Sequence, residues 1–224
     1  MKIPTFITLE FEKMGELPDR FKNDDVRYSP QLVKYFIDLF TKENDVVFDP
    51  FSGYGTTLLV AKEMGRQAYG VEMDEDRYKY LAFDLELNNY IKLGDTAKVD
   101  LSNLPGFDLV MASPPYMGKD ESADALTGYR YRGNYEGYLQ RFIPIYERIK
   151  KKLNPGGKII VEISNLKHQG QVTTLAWDVA STLSTILHFE GEVIICWTRQ
   201  NQDEFNYGYG YDHSYCLIFS AVAD

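Results

Sequence analysis

Residues 46–57 constrain the fold of this chain more than any other stretch, because an apolar run there ends on an acid and passes into a glycine-containing turn. The opening Val-Val-Phe is β-favouring and bounded by turn residues, as in a strand buried within a parallel sheet. Gly53 and Gly55 allow the backbone to approach a ligand closely, and Thr56 and Thr57 lead into an apolar-periodic helix. The loop therefore opens at the carboxyl end of a strand, where open α/β sheets hold their ligands.

A second acid follows the glycine turn at a sequence separation typical of nucleoside-binding folds. Residues 67–72 read as the next strand, which ends on Glu72 about twenty residues beyond the glycine turn. That is the spacing at which a Rossmann-type fold holds a ribose diol, since a carboxylate accepts hydrogen bonds from both hydroxyls. The turn lacks the Gly-Lys-Ser/Thr ending of a P-loop, so the pattern favours a nucleoside ligand without a triphosphate.

Two motifs of the chain belong together, Asp49-Pro50-Phe51-Ser52-Gly53-Tyr54-Gly55-Thr56-Thr57 and Ser113-Pro114-Pro115-Tyr116. They resemble the paired signature of the S-adenosylmethionine-dependent amino-methyltransferases, especially the DNA enzymes that methylate cytosine N4 or adenine N6. The resemblance extends from about Tyr28 to about Phe219.

The resemblance implies S-adenosyl-L-methionine as cofactor and suggests which residues hold it. Tyr28 and Ser29 would line its methionine end, although Ser29-Pro30 also has the pattern of a capped packing helix. Asp95 would accept from the adenine amine, or would belong to a polar turn. The expected cofactor-binding residues are Tyr28, Ser29, Asp49, Phe51, Gly53, Gly55, Thr56, Thr57, Glu72 and Asp95.

The second motif supplies the expected catalytic residues Ser113, Pro114, Pro115 and Tyr116. A hydroxyl and a carbonyl there would accept the two N–H donors of a base amine, while the prolines keep the backbone rigid. Tyr116 would stack on the base. In the resembled family a leading serine is commoner among cytosine N4 enzymes, so we expect DNA cytosine N4 methylation of the restriction–modification kind, with adenine N6 or RNA guanine N2 methylation as alternatives.

Residues 117–134 have no hydrophobic period and are rich in Gly, Asp, Tyr and Arg, so they are predicted to form a loop, and loops of this length tend to be functional. A base inside a duplex must be flipped out to reach such a site. Tyr129, Arg130 and Arg132 interleave rings and cations as a nucleic-acid contact would, and the rings of residues 206–211 could add to it. A tyrosine-rich surface loop is the competing interpretation.

The strand and helix patterns predict a single doubly wound α/β domain over residues 1–224, with an N-terminal arm at 1–26. Its mostly parallel, seven-stranded sheet would carry an antiparallel terminal strand at the edge, and the resemblance implies a Rossmann-like class I methyltransferase. The predicted strands are 6–9, 46–48, 67–72, 107–112, 158–163, 193–197 and 215–221, with helices at about 30–40, 74–89, 138–153 and 172–187 and a turn at 154–157.

The charge balance argues against a protein that wraps nucleic acid by charge alone, because 24 Lys and Arg residues face 33 Asp and Glu residues, for a net charge of −9. Basic residues concentrated on one face would reconcile the negative net charge with a nucleic-acid partner. The candidates for a basic face are Lys119, Arg130, Arg132, Arg141, Arg148, Lys150, Lys151, Lys152 and Arg199.

Cys196 and Cys216 lie in apolar runs, which suggests that they serve packing, and no spacing of His, Cys, Asp or Glu predicts a metal site.

The sequence also predicts where the protein is located and what it binds. No run of eighteen apolar residues occurs and the start of the chain lacks a signal-peptide pattern, so a cytoplasmic protein without membrane contact is expected. The partner is nucleic acid, with DNA favoured over RNA. Because the resembled enzymes usually carry a target-recognition region and this chain has no room for one, a separate specificity protein, or a role as binding subunit for a catalytic partner, is also considered.

Overall fold

Apolar runs separated by polar turns pair into one eight-stranded sheet in the computed structural model, which describes residues 3–168, 170–198 and 210–221. The central strands are apolar on both faces, as expected where helices cover both sides. The sheet strands are β1 (Phe6–Glu10), β2 (Val46–Asp49), β3 (Gln67–Glu72), β4 (Ile91–Leu93), β5 (Phe107–Ala112), β6 (Leu153–Ile163), β9 (His188–Thr198) and β10 (His213–Ser220), and β7 (Leu166–His168) and β8 (Gln171–Thr173) form a separate hairpin.

The strand order is β1-β9-β10-β6-β5-β2-β3-β4, and β10 runs antiparallel to both of its neighbours. The predicted doubly wound α/β class is confirmed, with two differences. The described sheet has eight strands rather than seven because Ile91–Leu93, too short to show a period, pairs with β3. The antiparallel strand is not at the edge, because β9 and β1 lie beyond it.

Five helices cover the two faces of the described sheet. Buried side chains of α1 and α2 share one core cluster, and those of α4 and α5 share the other. The helices are α1 (Pro30–Phe40), α2 (Thr56–Glu63), α3 (Glu75–Lys79, continued by a π-helical turn at Tyr80–Asp84), α4 (Tyr135–Lys150) and α5 (Leu175–Leu183).

Several predicted boundaries shift for local reasons. The helix after Asp74 is capped by that side chain as expected, but it ends at Asp84. The last helix is shorter than predicted because residues 171–173 pair with Leu166–His168. The predicted turn at 154–157 lies within β6. Among the described helices, none is long and apolar enough to span a bilayer.

The core beneath the sheet includes aromatic pairs that join strands. The rings of Phe48 on β2 and Phe107 on β5 stack with their centroids 4.2 Å apart, and both side chains are fully buried. Cys216 is buried in the opposite cluster and Cys196 is half-buried, both as free thiols. The aromatic contact therefore ties together the two strands whose carboxyl ends carry the predicted motifs.

Phe48→Ala is expected to lower the free energy of unfolding by about 3–5 kcal/mol, because it removes a stacked, fully buried ring and leaves a cavity. Urea unfolding measures the loss. The matched control is Phe83→Ala, whose ring is 66% exposed, with an expected change within roughly 0.5 kcal/mol. Equal losses in the two variants would contradict the assigned core.

Candidate active site

The strands β2, β3, β4 and β5 end at the same edge of the sheet, and a cavity of about 340 Å³ opens there. This volume lies within the range of small-molecule sites. The cavity brings together most of the residues predicted from the sequence, namely Tyr28, Phe51, Gly53, Thr56, Glu72, Asp95, Ser113, Pro114, Pro115, Tyr116, Tyr129 and Arg130.

Glu72, at the end of β3, joins two neighbouring loops. One carboxylate oxygen accepts from the backbone N–H of Gly53 at 2.7 Å, and the other accepts from that of Asp74 at 2.7 Å. Burial raises the pKa of Glu72, and these backbone donors oppose the shift. Each oxygen keeps a second lone pair, so the group can still accept hydrogen bonds from a ligand.

The two glycines of the turn serve different purposes. Both have positive φ, 53° at Gly53 and 85° at Gly55. A Cβ added at Gly53 would meet only the carbonyl of Phe51 at 3.9 Å, so this backbone borders open space. A Cβ at Gly55 would lie 2.5 Å from Leu81, so this glycine is needed for packing and does not line the cavity.

Asp49 and Thr57 lie behind the cavity wall rather than in it. The carboxylate of Asp49 is 1% exposed and accepts from the N–H of Phe51 at 2.9 Å. The hydroxyl of Thr57 donates to this carboxylate and hydrogen bonds to the hydroxyl of Tyr28, which does line the cavity. Burial raises the pKa of Asp49 to about 7, helped by the nearby charge of Glu72.

Ser29 acts as a helix cap. Its hydroxyl is fully buried and accepts from the N–H of Gln31 at 3.3 Å and from that of Glu12 at 3.4 Å. It does not line the cavity. The segment was predicted either to line the cofactor site or to cap a packing helix. In the structure Ser29 caps the helix, and Tyr28 lines the cavity.

The loop Ser113–Tyr116 is fixed from two sides. Tyr138 on α4 donates its hydroxyl to the carbonyl of Pro115 at 2.9 Å. Tyr116 donates its hydroxyl to a carboxylate oxygen of Glu162 on β6 at 3.2 Å. With two prolines restricting the backbone, this loop has little freedom to rearrange.

Asp95 lies in a short turn and also faces the cavity, so both of its predicted environments are present. It accepts from the N–H of Ala97 at 2.9 Å and pairs with Lys98 at 3.2 Å. Next to it, Thr96 is buried and donates to the carbonyl of Pro50 at 2.6 Å, which ties this turn to the glycine loop.

The predicted loop at 117–134 contains one short 3₁₀ turn, Ala125–Thr127, and an isolated antiparallel bridge between Ala123 and Arg132. Tyr129, with a left-handed backbone (φ 61°), and Arg130 line the cavity, whereas Arg132 is exposed and does not. A second cavity of about 350 Å³ adjoins the first across Arg130 and Asp95. Its further lining includes Leu93, Lys98, Tyr131 and Arg141.

The basic candidates do not form one face. Near the cavities, Arg141 pairs with the buried Asp124. The last turn of α4 lies at the opposite edge of the sheet, where Arg148, Lys150 and Lys152 donate to backbone carbonyls. Arg199 lies outside the described residues, as do residues 206–209 of the second ring-rich segment.

One wall of the cavity is closed by a contact that local sequence patterns do not reveal. Asp24, in the N-terminal arm, accepts from the guanidinium of Arg77 and from the hydroxyl of Tyr54 at 3.0 Å. The guanidinium also lies 4.8 Å from the ring centroid of Tyr54. Since the pair spans distant parts of the chain, no local signal could reveal it. Glu162, which contacts Tyr116, was more accessible from the sequence, because it is a single acid within an otherwise apolar strand.

Comparisons with known proteins agree with this geometry. Residues 16–83 match the family described as DNA methylase. Sixty residues are 47% identical to the type II methyltransferase M.HindIII of Haemophilus influenzae, covering 26% of this chain and 19% of that protein. Another match, 31% identical over 93 residues, is the tRNA (guanine(10)-N2)-dimethyltransferase of Pyrococcus abyssi, with 39% of this chain and 28% of that protein covered. The chain thus matches less than a third of the length of each of these relatives.

The fold as a whole resembles a solved TehB-like SAM-dependent methyltransferase from Corynebacterium glutamicum. The TM-score is 0.53 at 13% identity, with 91% of this chain and 93% of that chain covered. At this identity the likeness concerns the fold. The predicted class I methyltransferase architecture is therefore confirmed.

The raised pKa of Asp49 gives a pH test of its burial. Between its ordinary value of 3.8 and about 7, the folded chain holds a proton that the unfolded chain releases. The free energy of unfolding should therefore fall as pH rises through this window, by at most about 4 kcal/mol, and then level off. Urea unfolding at several pH values, compared with Asp49→Asn, isolates this contribution. Parallel pH curves for the two proteins would show that Asp49 is not desolvated.

Proposed function

We propose, from the match of residues 16–83 to the family described as DNA methylase, that the chain transfers a methyl group from S-adenosyl-L-methionine to an exocyclic base amine in DNA, with cytosine N4 as the favoured acceptor. The observation that carries the proposal is the convergence of the glycine loop, Glu72 and Ser113–Tyr116 on one cavity. A nucleoside-binding acid and an amine-binding loop then border the same space.

The residues present fit the cofactor. Glu72 offers acceptor lone pairs for ribose hydroxyls, and Gly53 leaves room for a ligand against the loop. Asp95 faces the cavity as an acceptor for the adenine amine, and Tyr28 borders it near α1. When bound, S-adenosyl-L-methionine supplies an electrophilic methyl group on a sulfonium sulfur.

The chain's own contribution to the chemistry is positioning. The lone pair of a base amine is delocalised into the ring, so the hydroxyl of Ser113 and the carbonyl of Pro114 would accept its N–H groups and favour a pyramidal nitrogen. Tyr116 would stack on the base, a contact worth roughly 1–3 kcal/mol. The amine nitrogen would bond to the methyl carbon while the methyl–sulfur bond breaks and its electron pair goes to the sulfur. The nitrogen would then lose a proton to water, so a strong general base is not required. Positioning and electrostatics would supply the rate.

The target base and the polymer are the finer parts of the proposal. Ser113 favours cytosine N4, and adenine N6 methylation would use the same loop. RNA methylation at a base amine is the second candidate, supported by the match to an enzyme named for tRNA guanine N2. Tyr129 and Arg130 at the cavity mouth, with Arg132 farther out, would contact the nucleic acid, and a separate protein would add site specificity. A binding-only subunit is disfavoured because both motifs are intact.

One experiment tests class and substrate together. The purified chain is incubated with S-adenosyl-L-methionine and with separate pools of genomic DNA and total RNA, and the nucleosides are analysed by mass spectrometry. N4-methylcytosine in DNA would support the full proposal. N6-methyladenine would overturn the inference from Ser113, a product only in RNA would overturn the choice of DNA, and no product in either pool would favour the binding-subunit role.

Glu72→Gln is expected to weaken S-adenosyl-L-methionine binding at least tenfold by calorimetry, because a ribose acceptor is lost and the amide cannot accept from both Gly53 and Asp74 as the carboxylate does. The matched control is Glu63→Gln, an exposed acid at the end of α2 that pairs with Lys34. Unchanged affinity in Glu72→Gln would exclude this acid from the cofactor site.

Tyr116→Ala is expected to abolish most methyl transfer, by about 10- to 100-fold, since the stacking ring is removed. Cofactor affinity should stay within about twofold of wild type, because in the proposed arrangement the ring contacts the base and not the cofactor. Tyr90→Ala, a half-buried ring beside Tyr69 and outside the cavity, is the control. Full activity in Tyr116→Ala would remove Ser113–Tyr116 from the reaction.

A further inference from the structure

Glu162 is a fully buried acid that the proposed chemistry does not use. It has no exposed surface and lies one residue before the end of β6, where it pairs with Cys216 on β10. The preceding residue, Val161, pairs with β5. Burying a carboxylate is costly, and an apolar side chain would satisfy the packing of this strand better. Its position directly behind the Ser113–Tyr116 loop suggests what it provides.

The contact between Glu162 and Tyr116 fixes the far end of a ring. A tyrosine side chain has two rotatable bonds, and the hydroxyl is the atom farthest from both. Because the hydroxyl lies on the axis of rotation about Cβ–Cγ, holding it 3.2 Å from a carboxylate oxygen fixes the direction of the ring axis, which is set by rotation about Cα–Cβ. The same loop is held at its backbone by Tyr138, which donates to the carbonyl of Pro115, so ring and backbone have separate anchors.

We propose that Glu162 is a positioning residue, which holds the far end of the Tyr116 ring at the position from which the ring stacks on the target base. The inference rests on the proposed function, in which Tyr116 contacts the base and Glu162 acts through its hydrogen bond with the Tyr116 hydroxyl. A small tilt of the ring misplaces the amine relative to the methyl group, and a misplacement of about 1 Å can cost about a hundredfold in rate. The effect of Glu162 should therefore appear in kcat and not in cofactor affinity.

A double-mutant cycle tests this directly. Tyr116→Phe removes the donor and keeps the ring, and Glu162→Met removes the acceptor at similar side-chain length. Each is expected to lower kcat about tenfold, and the double variant also about tenfold rather than a hundredfold, because both remove the same hydrogen bond. Glu162→Gln keeps an acceptor oxygen and should retain most of the activity. Additive losses, or equal losses in Glu162→Gln and Glu162→Met, would overturn the proposal.

A second measurement does not depend on turnover. With 3-fluorotyrosine incorporated, the ¹⁹F resonance that disappears in Tyr116→Phe belongs to Tyr116, and it should shift in Glu162→Gln. An unmoved resonance would overturn the contact itself, and this measurement keeps the proposal testable if Glu162→Met does not fold. The control for Glu162→Met is Glu190→Met, since Glu190 pairs with Lys158 at the opposite end of the strands. The control for Tyr116→Phe is Tyr90→Phe, whose ring contacts Tyr69.

The two proposals fail in different ways. A wild-type chain that methylates neither DNA nor RNA would overturn the proposed function, and the catalytic meaning of the Glu162 contact would fall with it. An active wild type whose variants give additive losses would leave the proposed function intact and overturn the positioning role alone.

Discussion

The arrangement of the site depends on one anion, the carboxylate of Glu72, which binds the backbone of two loops at once. The N–H groups of Gly53 and Asp74 both point at it, so the loops that follow β2 and β3 hold their shape around a shared acceptor. Charge-assisted hydrogen bonds of this kind are stronger than neutral ones, which offsets part of the cost of burying the acid. A second buried acid, Asp49, lies close enough for the two charges to oppose each other's ionisation. Burying these two acids costs free energy of folding, and it means that the hydrogen-bond acceptors of the cavity are in place before a ligand binds.

The cavity also marks a division in the fold. Helix α2, which follows β2, packs in one core cluster, while α4, which follows the neighbouring strand β5, packs in the other. The chain therefore leaves two adjacent strands toward opposite faces, and a crevice opens between them, as the general rule for open α/β sheets requires. The glycine loop occupies one side of the crevice and Ser113–Tyr116 the other. Two halves that pack in different core clusters meet there.

Much of this organisation was predictable because it is encoded locally. The apolar run ending at Asp49, the strand ending at Glu72 and the Ser29 cap each depend on a few adjacent residues, and all three have the expected form. Ile91–Leu93 was missed because a three-residue strand has no measurable period, and the inner position of β10 depends on pairings with distant strands. The contacts of Asp24 with Arg77 and of Glu162 with Tyr116 likewise join residues far apart in the chain. Local patterns locate the motifs, whereas the side chains that hold them in place are chosen by the assembled sheet.

The pairing of β1 with β9 has a consequence for how the chain acquires its shape. Phe6 lies opposite Ile194, so the first strand must wait for nearly the whole chain before it finds its partner. Residues 24–96, which supply most of one wall, are contiguous and can associate early, whereas the loop at 113–116 gains its anchors from α4 and β6 only later. During synthesis on the ribosome, the wall formed by residues 24–96 is therefore available before the loop at 113–116 gains its anchors. The two sides of the cavity thus belong to different stages of folding, and the side that contains the glycine loop comes first.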